Sequence, residues 1–280
     1  MTAVHSDTGA ALRGGQRPAP AAGRRETIPP PPLVHSSARE NAPLRRVALK
    51  VGGLTPFTAT DFPGRLSVVI FVQGCPWRCG YCHNPHLQPR TAESPLAWGD
   101  IRAFLARRAG LIDAVVFSGG EPTMDPALEA AMREVRELGF EIGLHSGGTH
   151  PARLRRVLPL VNWVGLDIKA NASGYERVTG VRGSAAPAFD SLRAVLESGV
   201  SHEVRTTIHP SLHDEGEIRA LARHLAAAGV THYALQVFRP TGCQDAELNA
   251  RRFTDYPGAG LLEKIRRLFP VFTLRKEGNP

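Results

Sequence analysis

The chain has 280 residues, 42% of them hydrophobic, and a formal net charge of +8. That is enough apolar material for one large domain or two small ones, and no run nears the roughly 18 apolar residues that span a bilayer. The positive charge comes without aromatic-interleaved basic runs or a nucleic-acid motif, so it argues for weak association with nucleic acid at most, not a specific site.

Residues 1–45 carry RPAP, IPPPP and scattered Ala, Ser and Arg with little apolar periodicity. Such a segment cannot bury enough surface to offset its ordering entropy, so a disordered Pro/Arg-rich arm is expected there, ahead of a core domain at 46–280. The N-terminus shows no apolar h-region, which predicts a protein of the reducing cytoplasm. In that compartment clustered cysteines point to metal or redox chemistry rather than disulfides.

From Val47 the texture changes. Strands are predicted at 66–74, 113–120, 140–148, 162–170, 202–210 and 232–240. Helices are predicted at 98–110, 125–138, 151–158, 187–198, 215–229 and 260–269. About six strands alternating with helices predict a parallel sheet with helical crossovers, either open or closed into a barrel. The unusual polar and glycine clusters all fall at strand C-termini: the cysteine loop, SGGEP, HSGG, DIK, RTT and QVFRP. In a parallel βα array those ends share one face, where active sites of such folds lie.

The cysteines are spaced Cys75-x3-Cys79-x2-Cys82, inside GCPWRCGYCHNP. A structural zinc site wants four ligands, commonly as two separated pairs. Here there is one tight group, and the neighbouring His83 is poorly placed to share an ion with Cys82. An iron–sulfur cluster takes thiolates, four of them in simple electron carriers. Three thiolates leave one iron open, which implies chemistry at that iron.

With Tyr81 before the last cysteine and GGE after the next strand, this segment resembles the radical S-adenosylmethionine superfamily. Residues 50–85, with DFPG and YCHNP, resemble the N-terminal part of anaerobic ribonucleoside-triphosphate reductase activating proteins. VVFSGGEPT (115–123), GLDIKA (165–170) and VRTTIHP (204–210) continue the likeness over about residues 48–240. Pyruvate formate-lyase activating enzymes share several of these motifs. The resemblance implies a partial (β/α)6 barrel open at the side, and a 4Fe–4S cluster on Cys75, Cys79 and Cys82. S-adenosylmethionine would chelate the open iron and be cleaved to a 5′-deoxyadenosyl radical. The implied substrate is a glycine Cα–H of an anaerobic ribonucleotide reductase, with a flavodoxin or ferredoxin as electron donor. No catalytic side chain beyond cluster and cofactor is expected.

Further site residues follow by resemblance and local chemistry. Gly119 and Gly120 would let backbone approach the cofactor, beside Glu121; the alternative is a plain strand-to-helix turn capped by Thr123 or Asp125. Tyr81 would pack beside the adenine or in the core. Asp167 and Lys169, two apart in a strand, point to one side; Lys169 would reach the cofactor carboxylate, with Asp167 ordering the pocket. Arg205 would bind cofactor or partner, or pair with a carboxylate. Ser146 would line the pocket. His145 stands where relatives often carry an acid that helps bind a monovalent cation, and it cannot replace that ligand. His83 and His86 are expected to support the loop, and Cys243 to be a free loop thiol. Two other readings stand beside the activase: a radical enzyme acting on a small molecule or nucleotide, and a non-catalytic iron–sulfur or zinc module.

Overall fold

The computed structural model describes residues 48–251 and 253–276, so the arm expected to be disordered lies outside the described residues. The strands are β1 (Val51–Thr58), β2 (Ser67–Val72), β3 (Ala114–Gly119), β4 (Glu141–Ser146), β5 (Trp163–Asp167), β6 (Ser201–Ile208), β7 (His232–Val237) and β8 (Val271–Arg275). They form one sheet in sequence order, with β1 and β8 at its two edges. β2 to β8 run parallel, and β1 pairs antiparallel with β2.

The helices are α1 (Trp98–Ala106), α2 (Leu128–Glu137), α3 (Pro151–Val157), α4 (Tyr175–Thr179), α5 (Ala185–Ser198), α6 (Glu215–Ala227), α7 (Ala246–Ala250) and α8 (Ala259–Arg266). Each parallel strand from β2 to β7 is followed by helix before the next strand. The architecture is therefore six βα units of an open, TIM-like barrel, framed by β1 and β8. The six-strand reading missed both of those edge strands, together with the short helices α4 and α7.

The core follows from strand and helix periods. Val68, Ile70 and Val72 of β2, with Val115 and Phe117 of β3 and Val164 and Leu166 of β5, join Met132, Val135, Leu154, Leu192 and Leu221 of the helices in the main core. Alternate residues of the same strands, Val69, Ala114, Val116 and Trp163, form a separate cluster with Phe62 on the opposite, concave side. Each fully buried Leu or Val contributes about 1.5–3 kcal/mol relative to exposure. α2 shows why helices form where they do: its buried Leu128, Ala131, Met132 and Val135 fall at i, i+3, i+4 and i+7. α6 starts on a capping box, with the Asp214 carboxylate accepting from Glu217 N–H and the Glu217 carboxylate accepting from Asp214 N–H.

Candidate active site

The loop after β2 carries the three cysteines and is tied down by main-chain bonds. Gly74 N–H donates to Leu87 O at 2.8 Å, Cys75 N–H to Gln88 O at 3.0 Å, and Arg78 N–H to Thr179 O at 2.8 Å. Trp77, 3% exposed, anchors the middle of the loop edge-on against Tyr175. Arg78 folds its guanidinium back onto the Cys75 and Trp77 carbonyls at 2.6 and 2.9 Å.

The segment after β7 holds the loop's far end. His83 Nε2 lies 3.1 Å from Arg239 O, and its ring stacks on Phe238. Cys243 is buried and donates its S–H to Gly80 O at 3.4 Å. Cys243 is thus a free thiol of the loop after β7, as expected, and it packs under the cysteine loop rather than facing solvent. Gly242, at φ +86°, lies so close that a Cβ would meet His83 O at 2.4 Å. His86 is exposed.

The glycines after β3 also serve the loop. A Cβ on Gly119 would sit 2.5 Å from Val72 N, and one on Gly120 would sit 2.4 Å from Gly74 O. Their missing side chains thus make room for the protein's own backbone, a reason the sequence reading did not anticipate. Glu121 N–H donates to Gly74 O at 2.7 Å and completes the junction.

The Glu121 carboxylate, 1% exposed, is the hub between the β3 and β4 loops. Its Oε1 accepts from Thr123 N–H, Thr123 Oγ1 and Ser146 Oγ, and its Oε2 accepts from Gly147 N–H at 2.9 Å. Oε2 keeps capacity for a further donor. Glu121, not Thr123 or Asp125, caps the turn that follows, a single 3-10 turn over Pro122–Met124, and α2 begins only at Leu128. Asp125 instead accepts from Lys50 N–H, Arg90 and Ala127 N–H.

Across the cleft, Asp167 ends β5 and Lys169 lies just beyond it. They pair at 3.4 Å, with Lys169 the more buried. The ammonium sits 5.9 Å from the Trp77 ring and 5.6 Å from the Tyr81 ring. Burial works against its charge, but Tyr81, Asp167 and Cys79 outweigh that and hold its pKa well above the ordinary lysine value. The weak pair with Asp167 leaves most of its donor capacity toward the cleft.

Arg205 is held from three sides. Its Nε donates to Glu203 Oε1 at 2.8 Å, its guanidinium lies over the Trp163 ring, and Gly165 leaves the space it fills. Arg275 of β8 grips the same Glu203 with two bonds, at 2.8 and 2.9 Å. Of the readings open for Arg205, pairing with a carboxylate is thus present in the structure. Among the described residues His145 meets no carboxylate: its Nε2 lies 2.8 Å from Asp61 O and its ring meets Trp163 edge-on. Burial, then Arg205 and Arg275, push its pKa down to about 3.

One cleft of about 190 Å³ is lined by Cys75, Cys79, Cys82, Tyr81, Gly119, Gly120, Glu121, Ser146, Asp167, Lys169 and Arg205. Every residue expected to hold the cluster or the cofactor therefore meets at this place, whereas His86 and Cys243 do not line it. Trp77, Gln88, Ser118, Gly147 and Thr207 also line it and were missed. Trp77, Ser118, Gly147 and Thr207 carried a signal, since each stands inside a motif already marked.

The profile of the radical SAM superfamily matches residues 69–235. The chain belongs to the radical SAM superfamily. The radical SAM chain is 30% identical over 210 residues to a putative glycyl-radical enzyme activating enzyme of Methanocaldococcus jannaschii, covering 70% of this chain and 83% of that one. It is 34% identical over 170 residues to the pyruvate formate-lyase-activating enzyme of Clostridium pasteurianum, covering 58% and 70%. Among solved structures, Streptococcus suis SuiB bound to precursor peptide SuiA superposes with a TM-score of 0.57 at 14% identity. That match covers 74% of this chain and 48% of SuiB, about half its length, and speaks for the fold alone.

The superfamily's cofactors are a 4Fe–4S cluster and S-adenosylmethionine, and the cleft's chemistry fits both. Among the described residues no three His, Cys, Asp or Glu side chains converge on a single metal ion. A cubane cluster asks for something else: three thiolates on three irons, with the fourth open. Burial, aided by Glu121, pushes the Cys75 thiol up to about 12, and burial raises Cys79 against the pull of Lys169. The charge of bound iron would reverse that balance and release the protons. The Tyr81 hydroxyl is buried without a hydrogen-bond partner, a donor left for a ligand in the cleft. No helix among the described residues is long and apolar enough to cross a membrane.

Proposed function

We propose that the protein is a glycyl-radical-enzyme activase whose substrate is an anaerobic ribonucleoside-triphosphate reductase. Cys75, Cys79 and Cys82 would hold the cluster. Glu121 Oε2 would receive the cofactor's amino group, Lys169 its carboxylate, and Tyr81 and Ser146 would line its adenosyl part. When bound, the reduced cluster and S-adenosylmethionine would supply a one-electron reductive cleavage that removes the glycine Cα hydrogen and leaves methionine and 5′-deoxyadenosine.

The observation that carries this reading is the meeting of the cysteine loop, GGE and DIK motifs in one cleft of a sheet whose edges, β1 and β8, do not pair. An open side suits a peptide segment of a large partner. The choice of the reductase over pyruvate formate-lyase rests on the resemblance of residues 50–85.

The test is an anaerobic mixture of the reconstituted protein, a low-potential flavodoxin or ferredoxin, S-adenosylmethionine and the reductase from the same organism, read by EPR. A glycyl doublet that disappears in Cys75→Ala, Cys79→Ala or Cys82→Ala is expected. 5′-Deoxyadenosine without a glycyl signal would overturn the choice of substrate.

A further inference from the structure

The turn HPSLH, residues 209–213, joins β6 to α6, and no role above uses its histidines. Both are buried, at 0% and 3% exposure, and both are wired alike. Ser211 N–H donates to His209 Nδ1 at 3.1 Å, and His209 N–H to His213 Nδ1 at a longer 3.4 Å. On the other side of each ring, Nε2 faces a backbone carbonyl. For His209 it is Leu248 O at 3.3 Å; for His213 it is Lys169 O at 2.8 Å. A carbonyl only accepts, and an Nδ1 that receives an N–H must carry a bare lone pair. These contacts assign both rings as neutral Nε2–H tautomers.

Lys169 needs such a partner because it stands beyond the last ladder residue of β5. The preceding Ile168 donates its N–H to Arg205 O at 2.9 Å and accepts from Thr206 Oγ1 at 2.7 Å. Lys169 itself donates its N–H to Tyr175 Oη at 3.2 Å. Its carbonyl is then held by His213, the shortest of its main-chain bonds. His213 is in turn built into the fold: its own carbonyl accepts from Tyr256 Oη at 2.8 Å, and its N–H donates to His209 O.

We infer that His213 is a positioning residue, whose Nε2–H bond to the Lys169 carbonyl fixes the backbone from which the Lys169 ammonium reaches the cofactor. This rests on the reading of Lys169 as a cofactor-binding group. His213 does not line the cleft, and its link to the cleft is the bond to the Lys169 carbonyl.

The experiment uses cluster-loaded protein and measures iron content, thermal midpoint and the Kd for S-adenosylmethionine by anaerobic equilibrium dialysis. The variants are His213→Ala, His213→Asn, His213→Gln and Lys169→Met. The Gln amide nitrogen reaches about as far as imidazole Nε2, whereas the Asn amide stops near Nδ1. We expect His213→Ala and His213→Asn to weaken binding about tenfold with iron content unchanged. His213→Gln should come back to within about twofold of the unmodified protein. Loss of packing alone would penalise Asn and Gln alike, so equal weakening in those two overturns the inference. So does unaltered binding in folded His213→Ala. If His213→Ala does not fold, the Asn and Gln pair still decides. Unaltered binding by Lys169→Met would remove the reading of Lys169 and the inference with it. Weak binding by Lys169→Met beside normal binding by the His213 variants would sink the inference only.

Discussion

On the β2–β4 side of the cleft, backbone packs on backbone: Gly119 against Val72, Gly120 against Gly74, Glu121 N–H on Gly74 O. On the β5–β8 side, charged side chains hold one another: Lys169 with Asp167, and Arg205 and Arg275 on a shared Glu203. The first side is specified by atoms that must be missing, so its tolerance for substitution is set by hard contact. The second is specified by charge balance in a half-buried setting, so its tolerance is set by which partner is left over. A cluster that must sit rigidly belongs with the first kind of wall, and a polar ligand that comes and goes with the second.

The largest expected effect comes from adding one carbon to the first wall. Gly120→Ala should cost about 3 kcal/mol, the scale of forcing an extra group into rigid packing, with loss of bound iron. Gly99→Ala on α1, where a Cβ would meet nothing within 4 Å, should gain up to about 1 kcal/mol through helix propensity. Urea unfolding compares the two, and equal stabilities would break the first half of the contrast.

Next comes the leftover-partner rule. Glu203→Ala strands two arginines in the barrel and should cost about 2 kcal/mol, below the figure for fully buried pairs because Arg275 is partly exposed. Arg275→Ala leaves Glu203 still paired with Arg205 and should cost clearly less. Equal costs in denaturant unfolding would mean that charge balance does not govern this wall.

The smallest effect is a slope. His145 has a folded-state pKa near 3, below the ordinary 6.5, through burial and the two arginines. The unfolded chain therefore binds a proton first as pH falls. Its contribution to stability is complete above about 6.5 and is lost progressively down to about 3, at about 1.4 kcal/mol per pH unit. His145→Asn should lack this component, so the unfolding free energies of the two proteins should diverge below about pH 6. Parallel curves would show that the ring takes up its proton without cost.

Much of the site was legible because its residues come in short local words: three cysteines within eight positions, GGE, DIK. Alternating strand and helix periods placed those words on one face before any coordinates. What stayed hidden has no local signature. β1 carries two glycines and a proline in eight residues, a poor strand by composition, and is recruited by pairing with β2 at the sheet edge. β8 is short and half exposed, so its burial pattern is faint. The grip of Arg275 on Glu203 spans 72 positions and that of Cys243 on Gly80 spans 163, distances over which no periodicity speaks. Glu121 was marked as a cofactor group, yet its four bonds within the protein, which join the β3 and β4 loops, arise only from tertiary packing.

The bond from Cys243 to Gly80 and the stacking of His83 on Phe238 join an early part of the chain to a late one. A ribosome delivers residues 74–85 long before residues 238–248. During synthesis the nascent cysteine loop therefore waits, without its clasp, while five βα units are made. Its finished geometry arrives only once residues 238–248 have been made. The finished geometry of the cysteine loop therefore depends on the segment around Cys243 as much as on the loop's own residues.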